Sequence, residues 1–150
     1  MWTVRPESPD SADGLALLRA YFAELTVRYF HRPTTDAEVE QTLEEFPTRG
    51  LAAFLVLRTA GGEPVGCLGL HASGELTRVF VLPGHRRRGG ARALLDAAEA
   101  RARELGLERL FLDTRHDLVE ARALYAACGF SEVPPFSAPA PIRTTGSRSI

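Results

Sequence analysis

The chain has 150 residues, 45% of them hydrophobic and 25% charged, with a formal net charge of −1 at pH 7. That is the size and composition of a single domain with an apolar core, spanning residues 1–150. The balance of charge excludes a nucleic-acid binder driven by bulk positive charge, and no stretch is long and apolar enough to span a membrane. In chain order, Trp2 to Arg5 reads as a short strand, and Ser8-Pro9-Asp10 offers a helix cap with proline in the first turn. Leu15, Leu18, Phe22, Leu25 and Tyr29 then recur at spacings of three and four, which predicts one apolar helix face. His31-Arg32-Pro33 breaks that helix, and Thr35 with Glu38 makes a capping box for a shorter one carrying Val39, Leu43 and Phe46 and ended by Pro47.

Leu51 to Arg58 is a nearly continuous apolar run too short for an ordinary helix, so it predicts a buried strand. Gly61-Gly62 turns the chain into a returning strand from Pro64 to His71, and Ser73-Gly74 turns it again into a strand from Glu75 to Leu82. The three make an antiparallel meander. Ala91, Leu94, Leu95, Ala98, Ala102 and Leu105 follow at helical spacing, stopped by Gly106. Arg109 to Asp113 is a further strand, and a right-handed crossover through the intervening helix sets it parallel to the one before. Val119 to Cys128 predicts a last helix ended by Gly129, and Phe130 to Val133 a short strand. The tail from Phe136 to Ile150 has a weak apolar pattern that fits either a final edge strand or partial disorder.

Between the meander and the long helix lies the run His85-Arg86-Arg87-Arg88-Gly89-Gly90-Ala91-Arg92. The first turn of a helix has N–H groups without intrahelical partners, and its dipole adds positive potential there. Glycines let backbone approach a bulky anion, and arginines add charge and forked donors. A solvated basic turn is the plain alternative. A Walker loop is excluded because the chain has no lysine, all 18 basic residues being arginine. The glycine pattern of a dinucleotide-binding βαβ unit is also absent. A pyrophosphate site of another kind remains. The two cysteines, Cys67 and Cys128, have neither metal-ligand spacing nor a disulfide framework, so no metal is expected and a reduced, cytoplasmic setting is. The N-terminus lacks the apolar stretch of a signal peptide.

Arg86-Arg87-Arg88-Gly89-Gly90-Ala91 resembles the Arg/Gln-x-x-Gly-x-Gly/Ala motif of the GNAT N-acetyltransferase superfamily. The flanking strand from Glu75 to Pro83 and the later Leu124-Tyr125-Ala126-Ala127-Cys128-Gly129-Phe130 are also similar to that family, in the same order. The resemblance implies an α/β domain of the GNAT type: a mixed, mostly antiparallel sheet with about four helices, splayed to hold acetyl-CoA. It implies that backbone N–H groups of Arg87 to Arg92 hold the CoA pyrophosphate, with Arg86, Arg88, Gly89, Gly90 and Ala91 in the same cradle. It also implies that the backbone of Val79, Phe80 and Val81 pairs with the pantetheine arm, whose amides can add to a splayed strand as another strand would.

The implied reaction is transfer of the acetyl group to a primary amine by direct attack in a ternary complex, the acceptor being more in keeping with a small molecule than a protein. The rival reading is an acyl-CoA-binding or sensing domain without catalysis. Tyr125 falls at the family's general-acid position; the alternative is a core tyrosine on the apolar stripe of Ala121, Leu124, Tyr125 and Cys128. Glu75 is the candidate base or water-relay base, against a solvated strand-start carboxylate, and His71 is a second candidate. Ideal alternation puts Glu75, Thr77, Val79 and Val81 on one face, unless a bulge intervenes. Backbone N–H groups near Phe80 and Val81 are expected to meet the oxyanion. Tyr29, Phe30, His31 and Arg32 lie where relatives shape the acceptor pocket; Tyr29 reads as packing, Phe30 and His31 as candidate substrate contacts. Two departures from the family are Leu118, with Asp117 beside it, where relatives often have a CoA-contacting asparagine, and the weak terminal strand. No nucleic-acid or membrane partner is expected, and the chain is read as a monomer or homodimer.

Overall fold

The computed structural model describes residues 1–115, 119–133 and 143–149. Four strands, β1 (Thr3–Pro6), β2 (Ala53–Arg58), β3 (Pro64–Leu70) and β4 (Leu76–Val81), form an antiparallel sheet in the order β1-β2-β3-β4. Helices α1 (Ala12–Phe30) and α2 (Asp36–Glu45) cover one face and α3 (Gly90–Glu104) the other. The alternation along β2 shows why its sequence is continuously apolar. Phe54 and Val56 join Leu17, Leu18, Cys67 and Phe80 on the α1 side, while Leu55 and Leu57 join Leu68, Leu94, Leu95 and Ala98 on the α3 side. A strand covered on both faces has no polar face to show.

The start of α1 differs from expectation. Ser11, not the Ser8-Pro9-Asp10 segment, is the N-cap, and its hydroxyl accepts from the Gly14 amide at 3.0 Å. Ser8 forms the turn ahead of it, its hydroxyl accepting from the Asp10 amide at 3.1 Å. The buried face of α1 is consequently rotated to Gly14, Leu17, Leu18, Phe22 and Thr26, and Leu15 is exposed. Tyr29, read as packing, is also exposed at 65%, because the last turn of α1 runs past the surface the helix covers. The break at His31 is a left-handed C-cap with φ 57°. α2 starts with the expected capping box of Thr35 and Glu38. The Arg32 guanidinium, with the Thr35 amide, holds the Glu38 carboxyl down at about 2.

A second sheet contains β5 (Arg109–Arg115), β6 (Ser131–Val133) and β7 (Arg143–Ser149) in the order β5-β7-β6, with α4 (Val119–Ala127) between β5 and β6 in sequence. The terminal segment is therefore a strand, but not at an edge: β7 lies between the other two, running antiparallel to both from Arg109↔Ser149 to Arg115↔Arg143 on one side and Ser131↔Ser147 to Val133↔Thr145 on the other. Backbone pairing on both sides does not require apolar side chains, so a sequence of Arg, Thr, Gly and Ser can fill the position. The assignments for Asp117 and Leu118 fall outside the described residues.

The two sheets meet at one point. Glu75 forms an isolated parallel bridge with Phe111, and the Phe111 amide donates to the Gly74 carbonyl at 3.1 Å. β4 and β5 are thus parallel, as the crossover predicted, but among the described residues no ladder joins them beyond that bridge. Gly74 has φ +96°, and a Cβ there would lie 2.3 Å from the Arg109 carbonyl oxygen. Gly74→Ala is expected to cost about 2 kcal/mol or more, from backbone strain and the clash together, read as a lower midpoint in urea denaturation with an unchanged slope.

Candidate active site

β4 carries the cleft, and its geometry depends on a bulge. The register against β3 runs Leu70↔Leu76 and Gly69↔Thr77, then Cys67↔Phe80 and Gly66↔Val81, so β4 has one extra residue between Thr77 and Phe80. Arg78 sits there with φ 54°. Its guanidinium donates to the Phe46 carbonyl at 3.1 Å and to the Thr48 and Thr77 hydroxyls, and lies 5.1 Å over the Phe22 ring. Its carbonyl accepts from Cys67 Sγ at 3.3 Å. Burial, partly opposed by the Arg78 charge, pushes the Cys67 thiol up to about 12, so it stays a protonated strut.

The bulge changes which residues share a face. Thr77 stays opposite Gly69 and Phe80 opposite Cys67, so Glu75, Thr77 and Phe80 point toward α1 and α2. Val79 and Val81 pack instead on the α3 side with Leu76. The ideal-alternation set of Glu75, Thr77, Val79 and Val81 is therefore split. The edge groups also resolve. The Leu82 amide donates to Val65 O at 2.8 Å, which by alternation directs the N–H and C=O of Phe80 to β3 and those of Val79 and Val81 toward β5. Of the two amides expected to meet an oxyanion, only that of Val81 faces the cleft.

After β4, a 3-10 turn at Pro83–His85 leads into the basic run. Arg86 does not project its charge outward. Its Nε donates to the Val81 carbonyl at 2.8 Å, its Nη2 donates to both Glu24 carboxylate oxygens at 2.8 and 2.9 Å, and its guanidinium lies 5.6 Å from the Phe80 ring centroid. It ties α1 to the end of the cleft strand. Arg87 (φ 64°) and Arg88 are exposed, Arg87 lying 3.5 Å from Glu120, and Gly89 is a left-handed N-cap with φ 83°. Gly90, Ala91 and Arg92 open α3; Ala93 is the first residue whose amide finds an acceptor four back, at Gly89 O. Among the described residues no hydrogen bond uses the amides of Arg87, Arg88 and Gly89, and those of Gly90, Ala91 and Arg92 are first-turn amides. Alternating left- and right-handed backbone of this kind gathers N–H groups into an anion-binding concavity. Arg92 is exposed and reaches the Ala127 carbonyl at 3.4 Å.

Tyr125 lies on α4 and packs against the core. Its ring meets Phe130 edge-on at 5.7 Å, and it lines a small pocket of about 30 Å³ with Leu112, Thr114 and Arg122. Burial raises the phenol well above its ordinary value, and the nearby Tyr21 phenol and Cys128 thiol push the same way. Tyr125 thus packs on the core, and its burial keeps the phenol protonated. Tyr21 is a residue that sequence reasoning missed. It packs edge-on against Phe80 at 5.9 Å and seats α1 on the cleft strand.

Glu75 and His71 come together, with Nε2 of His71 4.0 Å from Oε1 of Glu75, both partly exposed at the vertex where the sheets join. Six residues separate Glu75 from Val81, roughly 20 Å of strand, so this pair and the loop occupy opposite ends of β4. Phe30 and His31 lie on the exposed end of α1, with the Arg32 guanidinium 5.0 Å over the Phe30 ring. No hydrogen bond, ion pair or ring contact among the described residues joins them to Glu75, His71 or Tyr125.

An antiparallel sheet joined to a second sheet by one parallel bridge, with a helix beginning just past the strand where they part, is the fold of acyl-CoA N-acyltransferases. A family model for the acetyltransferase (GNAT) family matches residues 17–130, and the chain belongs to that family. It is 31% identical over 142 residues, 87% of this chain and 86% of the other, to an aminoglycoside N(6')-acetyltransferase type 1 of Stenotrophomonas maltophilia. A 59-residue stretch is 41% identical to the uncharacterized N-acetyltransferase YjgM of Escherichia coli, covering 39% of this chain and 35% of that relative. Among solved structures, an acyl-CoA N-acyltransferase of Klebsiella pneumoniae superposes with a TM-score of 0.78 at 28% identity, over 99% of this chain and 97% of that one. The PaiA N-acetyltransferase of Thermoplasma acidophilum, in complex with coenzyme A, superposes with a TM-score of 0.75 at 15% identity, over 100% and 99%. No described helix is long and apolar enough to cross a membrane.

The inward-turned Arg86 separates it from its neighbours in a measurable way. Arg86→Ala is expected to lower stability by about 1–2 kcal/mol, whereas Arg87→Ala, on the exposed rim, stays within about 0.5 kcal/mol of the parent; urea denaturation of both variants reads the difference.

Proposed function

We propose that the chain transfers the acetyl group of acetyl-CoA to a primary amine of a small, cationic acceptor by direct attack in a ternary complex. The observation that carries this reading is the row of unpaired amides from Arg87 to Arg92 at the open end of β4. Free N–H groups on a helix start fit a pyrophosphate, and the cleft-facing N–H of Val81, next along β4, fits an amide-bearing arm lying along the strand. The Val79 amide, farther from the loop and nearer Glu75, is the donor for the carbonyl oxygen as negative charge develops there. Tyr125 supplies the proton to the departing sulfur as the carbon–sulfur bond breaks and the carbon–nitrogen bond forms. Glu75, with His71 beside it, is the candidate for taking the ammonium proton through water. Holding both reactants in the cleft contributes much of the acceleration, since a thiolate leaves without a covalent enzyme intermediate.

A cationic small acceptor is favoured by α2, where Asp36, Glu44 and Glu45 stand beside the arginine-paired Glu38 and Glu40 with no basic residue on the helix, and by the aminoglycoside-acetylating relative. The test is calorimetric titration with acetyl-CoA followed by a CoA-thiol release assay over aminoglycosides, polyamines and amino-terminal peptides. Saturable donor binding and turnover on an aminoglycoside or polyamine is expected. Donor binding without thiol release on any amine supports the non-catalytic rival, and release on peptides alone moves the acceptor class to proteins.

The assignment of Tyr125 has its own test. Tyr125→Phe is expected to lower kcat about 100-fold with little change in donor KM. Because burial holds the phenol protonated beyond its ordinary value near 10, kcat of the parent should not fall on the alkaline side below pH about 10 through loss of this proton. Equal turnover by parent and variant across the pH range removes Tyr125 from the mechanism.

A further inference from the structure

Trp2, the chain's one tryptophan, stands just ahead of β1 and contacts the anion loop 86 residues away. Its indole Nε1 donates to the Arg88 carbonyl at 2.9 Å. The same ring packs under the start of α3: its Cε2 and Cζ2 lie 3.7 Å from where a Cβ on Gly90 would stand, and Nε1 lies 3.9 Å from the corresponding point on Gly89. Gly90 is buried and its Cβ position is already closed by Leu57 Cδ2 at 2.7 Å, so ring and loop are in direct apposition.

The consequence follows from peptide geometry. In a planar trans peptide the carbonyl of one residue and the N–H of the next point in opposite directions. Holding the Arg88 carbonyl inward on the indole therefore aims the Gly89 amide outward, on the side from which an anion approaches. Gly89 at φ 83° closes this peptide in a conformation glycine adopts freely, and Arg87 at φ 64°, one residue earlier, takes one that is uncommon for a residue with a side chain. We propose that Trp2 is a positioning residue for the donor site: its indole N–H locks the Arg88–Gly89 peptide so that the loop amides stand ready for pyrophosphate. The proposal rests on the reading of this loop as the CoA pyrophosphate cradle. It assigns to β1, which has no part in the chemistry, a role in donor affinity.

The experiment uses the full chain with two donors, acetyl-CoA and S-acetylpantetheine, which lacks the pyrophosphate. Trp2→Phe keeps an aromatic ring against the loop and removes the N–H. The expected result is a rise in acetyl-CoA KM of about three- to tenfold, the worth of one neutral hydrogen bond, with kcat retained and S-acetylpantetheine KM unmoved. A KM that rises equally with both donors shows a merely structural ring and overturns the proposal, as does an unchanged acetyl-CoA KM. A second readout needs no variant. As the sole tryptophan, Trp2 should change its emission when the parent is titrated with CoA or inorganic pyrophosphate and not with pantetheine; silence at CoA concentrations that saturate by calorimetry overturns it. If the parent itself does not distinguish the two donors, the cradle reading fails and the Trp2 proposal with it. If the parent distinguishes them and Trp2→Phe does so equally, only the Trp2 proposal fails.

Discussion

The single parallel bridge between Glu75 and Phe111 sets the geometry of everything beyond it. At that point the Phe111 amide reaches the Gly74 carbonyl, and the two sheets are held together. Past it β4 and β5 run in the same direction without a ladder, so the N–H and C=O of Val79 and the N–H of Val81 face the cleft, while the Val81 carbonyl is taken by Arg86. Buried backbone polar groups are almost always paired, and a strand edge left open in the interior of a domain is in effect a place kept for a guest. The bulge at Arg78 serves the same end. It sets the parity that turns Val81 toward the cleft, and its side chain braces β4 against Phe46, Thr48 and Phe22 so that the distortion is held from the α1–α2 side.

The arginines of the loop divide by what they touch. Arg86 is occupied by Glu24 and the Val81 carbonyl, and its role is to keep α1 pressed on the end of β4. Arg87 and Arg88 are solvated, where a charge is screened within about 8–10 Å in physiological salt. The amides of the same segment have fixed directions and no partner. For recognising an anion at short range, fixed dipoles exceed mobile charges in specificity, because they are already oriented before the ligand arrives. In the proposed pyrophosphate site the arginines would add attraction at a distance and the backbone the fit.

Much of this was legible in the chain. The continuous apolar run before Arg58, the capping box at Thr35 and the order of strands and helices follow from local periodicity and end signals, which act over a few residues. What escaped has a common cause. The α1 face was misplaced because Leu15, Leu17 and Leu18 offer two registers, and only the Ser11 cap selects between them. The bulge has no local signal, since arginine is not a residue that favours φ 54°. β7 was left open between edge strand and disorder because a strand paired on both sides is defined by its partners' backbones, not by its own side chains. Tyr21, Glu24 and Trp2 acquire meaning only through contacts with Phe80, Arg86 and Arg88, each more than 50 residues distant.

The candidate acid and the anion loop belong to different sheets, Tyr125 with β5 and β6 and the loop with β4, and this constrains how the site is kept in shape. Their separation is governed by the opening angle between the sheets, which the Glu75–Phe111 bridge alone cannot hold. Two contacts cross the mouth instead. Arg87 and Arg92 of the loop region reach Glu120 and the Ala127 carbonyl of α4. This pair is exposed and long, of the kind that contributes little when solvated. The edge-on packing of Tyr21 of α1 on Phe80, at 5.9 Å, is less open to water. Helix α1, anchored to β4 through Arg86 and Glu24 and through Tyr21 on Phe80, therefore fixes the loop end of β4 independently of the second sheet.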